Sequence, residues 1–396
     1  MNLNMFTVLP LTNLIGLTPA AIGEHLSAMG EQKFRGKQIA QWLYTKRVAD
    51  FDQMTDLGKE LREKLKAGFA LRTAKVVARD HSPTSNTTKL ALRFPDGVVI
   101  ESVLMIESDD DDRADMPFGE GWGKENPSPW QGEGGERSEP GEGGKRRITA
   151  CISTQAGCAM GCRFCASGQL GLKRHLTPAE ILEQFYAIAA ELGPERWLTN
   201  VVYMGMGEPL HNWEGFTGSL TALTSEWGFN MSPRRITVST VGVAKRLAEL
   251  ADLDIPVNLA VSLHAPDDVI REKLIPTNAA YGGVATILAA AKEYYARTKR
   301  QVTFEYTLVR DVNDGAEHAR ALVTLLRDGF RDCNINLIPM NPVEGSGLKT
   351  PEEEVVRLFA GVLKSSGFSV HTRKKKGRSV NAACGQLRLR VEQGKA

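Results

Sequence analysis

The residues whose types and spacing most clearly imply chemistry are three cysteines, Cys158-x3-Cys162-x2-Cys165, on a glycine-containing loop seven residues after Cys151. Thiolates are ligands for zinc and for iron–sulfur clusters. A structural zinc site takes four ligands, and this loop offers three. Three cysteines on a four-iron cluster leave one iron open to a small ligand, which is the arrangement of a reactive centre. A non-catalytic zinc module with Cys151 as fourth ligand is the competing reading. A second thiol, Cys384, lies between small residues in a segment, 371–396, that holds eight Lys/Arg against one acid. So much positive charge predicts a lowered thiol pKa and a nucleophile. Glu101 is a carboxylate in an otherwise apolar stretch, so it sits either at an exposed edge or in a functional site. Cys333 precedes an apolar stretch and reads as core.

The elements that must position these groups alternate. Strands are expected at 148–154, 200–206, 235–240, 257–264, 302–309 and 334–339, with helices between them, among them 178–192 capped by Thr177, 243–250 and 316–326. Alternating short strands and helices argue for a parallel sheet buried on both faces. Six such units form an incomplete β/α barrel, whose chemistry collects at the C-terminal ends of the strands. Polar residues fall at those ends. The second strand runs into Gly205-Met206-Gly207-Glu208-Pro209, where the glycines let a ligand approach the backbone and Glu208 can take a cation such as an amino group. The third carries Ser239, the fourth Ser262, Leu263 and His264, and the sixth leads to Asn341. Taken singly, a serine or asparagine there is a helix cap and a histidine a satisfied core residue. Together they outline a pocket for a small zwitterion.

The flanks differ in character. Residues 1–75 read as helices, one starting at Thr18-Pro19, one around Ile39, Trp42 and Leu43, and one over 57–69. They carry eleven Lys/Arg against seven Asp/Glu, and Arg35, Lys37, Lys46 and Arg47 lie close enough in sequence to meet phosphates. Residues 76–106 alternate around the turn Pro95-Asp96-Gly97 and predict a β-hairpin. Residues 107–147 hold twelve acids, six bases and little to bury, so they read as a disordered acidic insertion. The tail reads as an RNA contact, by phosphate neutralisation. Six cysteines in 396 residues suit metal binding or catalysis better than a disulfide framework. With no leader-like N-terminus and no long apolar run, a cytoplasmic protein is expected.

At this point the residues carry a resemblance. The Cys158, Cys162, Cys165 spacing looks like the signature of the radical S-adenosylmethionine (SAM) superfamily. Cys151, the Gly205–Pro209 motif, Ser262-Leu263-His264-Ala265-Pro266, Asn336-Leu337-Ile338-Pro339 and Ala383-Cys384-Gly385-Gln386-Leu387 together resemble the RlmN family of dual-specificity RNA adenine-carbon-2 methyltransferases. The resemblance covers about residues 15–390 apart from the insertion. It implies an α/β fold: a partial (β/α)6 radical-SAM barrel with a small N-terminal helical domain and a β-hairpin extension. The expected domains are an RNA-binding accessory domain at 1–75, the hairpin at 76–106, the insertion at 107–147, the barrel at 148–370 and the basic tail at 371–396.

The resemblance also implies roles. One 4Fe–4S cluster on Cys158, Cys162 and Cys165 binds SAM, which Gly207, Glu208, Ser239, Ser262, Leu263, His264 and Asn341 contact. Cys384 accepts a methyl group from one SAM, a second SAM is cleaved to a radical, Glu101 accepts a proton, and Cys151 resolves the protein–RNA crosslink by a disulfide with Cys384. The implied partners are 23S rRNA, tRNA and an electron donor such as flavodoxin or ferredoxin, with no membrane and a monomeric protein. A carbon-8 methyltransferase resembling Cfr shares nearly all these motifs and differs in the atom methylated. The sequence departs from the family's pattern in the insertion between Glu101 and Cys151, and in lacking an acidic pair before Cys384.

Overall fold

The computed structural model describes residues 11–83, 85–107, 147–193, 196–343, 345–373, 386–392 and 394. Most of the insertion and Cys384 lie outside the described residues, so the expectations made for them stay as they were.

The N-terminal unit opens with β1 (Thr12–Asn13), followed by helices α1 (Pro19–Ala28), α2 (Arg35–Ala40) and α3 (Lys59–Gly68), and closes with β2 (Phe69–Ala70), which pairs parallel with β1. The Thr18 hydroxyl accepts the Ala21 N–H, so the Thr-Pro start of α1 forms as expected. α2 continues into a π-helical turn, Gln41–Thr45, which carries Trp42, Leu43 and Tyr44 into the core. One buried carboxylate ties this unit to the rest. Glu183 accepts the N–H of Thr73 (2.8 Å) and the Thr73 hydroxyl (2.8 Å), and it also holds Asn13 and the Ala74 N–H.

Three antiparallel strands follow: β3 (Lys75–Ser82), β4 (Thr87–Arg93) and β5 (Val99–Ile106). The expected hairpin is thus the inner part of a three-stranded unit. The barrel continues with β6 (Ile148–Cys151), β7 (Gln155–Gly157), α4 (Ala166–Gln169), β8 (Leu172–His175), α5 (Pro178–Ala190), β9 (Asn200–Tyr203) and α6 (Trp213–Thr224). Next come β10 (Ile236–Thr240), α7 (Ala244–Asp252), β11 (Asn258–Ser262), α8 (Asp268–Leu274), α9 (Gly283–Thr298) and β12 (Val302–Leu308). The chain ends with α10 (Ala316–Arg327), β13 (Asn334–Pro339), α11 (Glu353–Ser365), β14 (Ser369–Thr372) and α12 (Gln386–Glu392).

Ten of these strands form one sheet in the order β14-β13-β12-β11-β10-β9-β6-β5-β4-β3. The six expected parallel strands all appear, and β14 adds a seventh at the edge by pairing parallel with β13. The barrel therefore reaches Thr372, and within the tail read as an RNA contact Leu387 and Arg388 of α12 are buried. β5 pairs antiparallel with β6, which joins the three-stranded unit to the barrel without a break. The Glu107 N–H donates to the Arg147 carbonyl at 3.0 Å, so the chain leaves for the insertion and returns at adjacent points. Glu101 and Cys151 are consequently neighbours in the sheet despite their separation in sequence.

The register gives the two faces of the sheet different chemistry. One face carries Leu90, Ile100, Leu104, Ile152, Val201, Val238, Val261, Phe304 and Leu337, which form the main core. The cross-strand partners Cys151↔Val202, Thr237↔Asn258, Ser262↔Glu305 and Glu305↔Asn336 place polar groups on the other. The strands are buried on both sides, as expected, but the inner side is polar. Among the described residues no single helix is long and apolar enough to cross a membrane.

Candidate active site

The cysteine loop leaves β7 through Gly157, whose φ is +85° and whose added Cβ would lie 1.8 Å from the Gly171 carbonyl oxygen. Only glycine fits that approach. The Cys158 N–H donates to Gly171 (3.0 Å), the Arg163 N–H to the Leu274 carbonyl (2.9 Å), and the Thr277 hydroxyl to the Met160 carbonyl (3.1 Å). The end of α8 and the turn after it thus strap the loop from outside. Met160, Leu274, Ile275, Val309 and Met340 make an apolar surround for the thiols, of which Cys158 and Cys162 are buried. Burial pushes Cys158 up to about 12 and Cys162 well above the usual thiol value, and the neighbouring thiols add to both effects. Thiols so placed become thiolates when positive metal charge reaches them.

The donor set fits a 4Fe–4S cluster. Three soft ligands on one loop, two of them buried in an apolar surround and all close enough to feel one another's charge, would hold such a cluster. Among the described residues no three ligating side chains gather at a point that could hold a single metal ion.

Gly205 and Gly207 follow β9. An added Cβ on Gly207, whose φ is +98°, would lie 2.5 Å from the Gln155 Cβ, and one on Gly205 would lie 2.6 Å from the Ser153 hydroxyl. On the Cβ side these glycines let chain approach chain. Their packing delivers Glu208. Its N–H donates to the Gln155 amide oxygen (2.9 Å), and its carboxylate accepts the N–H groups of Leu210 (3.0 Å) and Val241 (2.8 Å). Burial raises it to about 7, against the lowering effect of those bonds and of Arg271.

Arg271, on α8, was not singled out from the sequence. It is fully buried and donates to the carbonyls of Leu263 (2.9 Å), Ser262 (3.1 Å) and Val241 and to the Asn278 side chain. One guanidinium therefore ties the ends of β10 and β11 to the strap over the cysteine loop. Burial lowers its pKa to about 10, and Cys162, Asp268 and Glu208 oppose that fall.

The expected strand-end set divides. Ser239 and Ser262 project together, with their hydroxyls 3.3 Å apart. Leu263 is fully buried in the main core, its N–H donating to the Glu305 carbonyl (3.0 Å) and its own carbonyl accepting from Arg271. His264 has a φ of +60° and is buried, with its Nδ1 accepting the Thr307 N–H (2.9 Å) and its ring edge-on to Phe164. Burial, aided by Arg271, lowers His264 to about 3, so the imidazole is neutral with its proton on Nε2. Asn341 is half-buried in the loop after β13.

The other half of the polar face lies on β5 and β6. Val103 pairs with Cys151, and Glu101, two residues earlier on β5, projects from the same face. Glu101 is buried. Its carbonyl accepts the Ser153 hydroxyl (2.6 Å), and its carboxylate accepts the N–H of Arg388 on α12 (2.7 Å). Buried Gln184 of α5 holds this corner through Ser102 (2.7 Å) and the main chain of Ser153 (2.7 and 2.8 Å). α12, which begins two residues after Cys384, is therefore docked on Glu101. Of the basic residues proposed to meet phosphates, Lys46 and Arg47 lie over the rings of Trp42 and Trp197, and Arg35 pairs with Glu31. Lys37 is exposed, as is Phe34 beside it, at 60%.

Known proteins match this arrangement. The profile of the ribosomal RNA large subunit methyltransferase N-terminal domain matches residues 12–71, and that of the radical SAM superfamily matches residues 152–323. The probable dual-specificity RNA methyltransferase RlmN of Rhodopirellula baltica is 40% identical over 92% of this chain and 87% of its own. The dual-specificity RNA methyltransferase RlmN of Marinobacter nauticus is 38% identical over 96% and 93%. The crystal structure of a radical SAM methyltransferase from Sphaerobacter thermophilus superimposes with a TM-score of 0.80 at 37% identity, covering 95% of this chain and 99% of that one.

Proposed function

We propose, for a chain that belongs to the RlmN family of radical SAM RNA methyltransferases, that the two halves of its polar sheet face divide one reaction between them. The protein is an enzyme that methylates carbon 2 of adenine in RNA, with SAM and a 4Fe–4S cluster as its cofactors. That carbon is electron-poor and does not attack a methyl sulfonium, so the chemistry requires a carrier and a radical. A cluster held by Cys158, Cys162 and Cys165 supplies one-electron cleavage of SAM when bound.

The chain's own residues do the rest. Gly207 and Glu208 close the pocket on the β9 side, Ser239 and Ser262 on the β10–β11 side, and His264 and Asn341 complete its rim. Leu263 contributes through its main chain. Cys384 accepts the methyl group by displacement, which requires its thiolate. Glu101 takes the proton that carbon 2 releases, and Cys151 forms a disulfide with Cys384 to free the methylated base. The observation that carries this reading is the single sheet face that holds Glu101 and Cys151 at one end and the serine pair at the other.

The substrates are an adenosine of 23S rRNA and the adenosine beside the anticodon of tRNA, in each case turned out of its stack to reach a buried site. The N-terminal unit meets the RNA through Lys37 and the exposed ring of Phe34, a stacking platform for a base. The enzyme works in the cytoplasm as a monomer and draws electrons from a flavodoxin or ferredoxin. The test is Cys151→Ala, incubated with SAM, reductant and RNA and run on a denaturing gel. Accumulation of a covalent protein–RNA species, absent from Cys384→Ala, supports the roles. Free methylated RNA from the Cys151 variant at the wild-type rate overturns them.

A further inference from the structure

Glu305 lies on β12 directly across from Ser262 and is buried. One of its carboxylate oxygens, Oε2, accepts the hydroxyls of both Ser239 (2.8 Å) and Ser262 (3.0 Å). The Glu305 carbonyl accepts the N–H groups of Leu263 (3.0 Å) and His264 (3.2 Å), so the backbone at this point is fixed as well. Its Oε1 accepts no hydrogen bond among the described residues.

We propose that Glu305 is a positioning residue of the methyl-donor pocket, holding Ser239 and Ser262 so that their hydroxyls act only as acceptors toward the bound molecule. A hydroxyl has one proton and two lone pairs. When both protons point at the same carboxylate oxygen, only lone pairs remain for a ligand. The wall made by Ser239 and Ser262 then favours groups rich in donors and disfavours acceptors. SAM offers two such groups, its ribose diol and its α-ammonium. The inference rests on the reading of these strand ends as the SAM pocket, and it adds the residue that sets their hydrogen-bond polarity.

The test is Glu305→Gln in the cluster-loaded enzyme, compared with Ser239→Ala and Ser262→Ala. Replacing a charge-assisted acceptor by an amide removes the fixed polarity at nearly constant volume, and the KM for SAM should rise about tenfold or more. The kcat at saturating SAM, the iron content and the thermal midpoint should stay near wild type, which a merely structural role would not allow. Equilibrium binding of SAM and of 5′-methylthioadenosine, which keeps the diol and lacks the ammonium, locates the contact. Weakening of both assigns it to the diol, and weakening of SAM alone assigns it to the ammonium. If both serine variants weaken SAM and Glu305→Gln does not, the positioning role is overturned while the pocket stands. If none of the three variants weakens SAM, the pocket assignment and this inference fall together.

Discussion

Arg271 offers the sharpest prediction, because its environment makes its removal costly in a countable way. Its guanidinium is fully buried and donates four hydrogen bonds, three of them to main-chain carbonyls at the ends of β10 and β11. Methionine matches much of its volume and donates nothing. Each buried acceptor left without a donor costs about 1–3 kcal/mol, although local relaxation returns part of that. The net expectation for Arg271→Met is a loss of about 3–5 kcal/mol, in the range seen when one partner of a buried charged network is removed. Arg271→Lys keeps the charge but cannot span the same acceptors, and should lose about half as much. Denaturant unfolding of cluster-free protein measures both. Reconstitution with iron and sulfide measures the functional consequence, since the strap over the cysteine loop is tied to the same guanidinium. If the methionine variant unfolds within about 1 kcal/mol of wild type, the account of this arginine as the tie between the strand ends and the loop is wrong.

Three further outcomes are expected. Glu208 is raised by burial to about 7 from 4.5, so the unfolded chain gives up its proton first and this residue's contribution to stability falls as pH rises between those values. Between pH 5 and 7.5 the fall amounts to about 2–3 kcal/mol, while His264, held below its ordinary value, adds an opposite rise in any variant that keeps it. Urea unfolding of cluster-free wild type and Glu208→Gln should therefore differ in their pH dependence by that amount, and parallel curves would refute it. Gly207→Ala combines a φ of +98° with a methyl 2.5 Å from the Gln155 Cβ. It should lose about 2–4 kcal/mol together with SAM binding, and unimpaired calorimetric binding would show that the loop tolerates a side chain. Replacing residues 108–146 by a short turn should leave the thermal midpoint within a few degrees, because Glu107 and Arg147 are already hydrogen-bonded at 3.0 Å. A collapse of the midpoint would mean that the insertion supports the fold.

The parts of the fold that the sequence announces are those whose signals are local. Thr18-Pro19 and Thr177-Pro178 cap helices through contacts within one turn, and the six parallel strands are short apolar runs set off by polar loops. β14 carries no such signal, since Ser369–Thr372 is four residues long and runs straight into a basic stretch. The polar inner face was in fact written into β12, where Thr303, Glu305 and Thr307 alternate with Phe304, Tyr306 and Leu308. All seven residues of that strand are buried, so the polar face is enclosed rather than solvated.

The site divides in the same way. Three thiols at fixed spacing and a glutamate after two glycines are legible because their chemistry is in their types. Arg271 and Glu305 are not, since their partners come from other strands and from loop carbonyls that no spacing connects to them. Arg388 counts in the sequence as one of eight bases in a tail read as an RNA contact, whereas its N–H closes on Glu101, 287 positions away. Gly205 and Gly207 stand out in the sequence, and in the fold their Cβ sides face the chain itself.

The central claim is that this chain methylates carbon 2 of adenine by way of Cys384. The most direct measurement incubates anaerobically prepared wild type and Cys384→Ala with SAM, a reductant and a 23S rRNA fragment, and identifies the product nucleoside by mass spectrometry. The account predicts 2-methyladenosine from the wild type and none from the variant. 8-Methyladenosine, or 2-methyladenosine formed without Cys384, would contradict it.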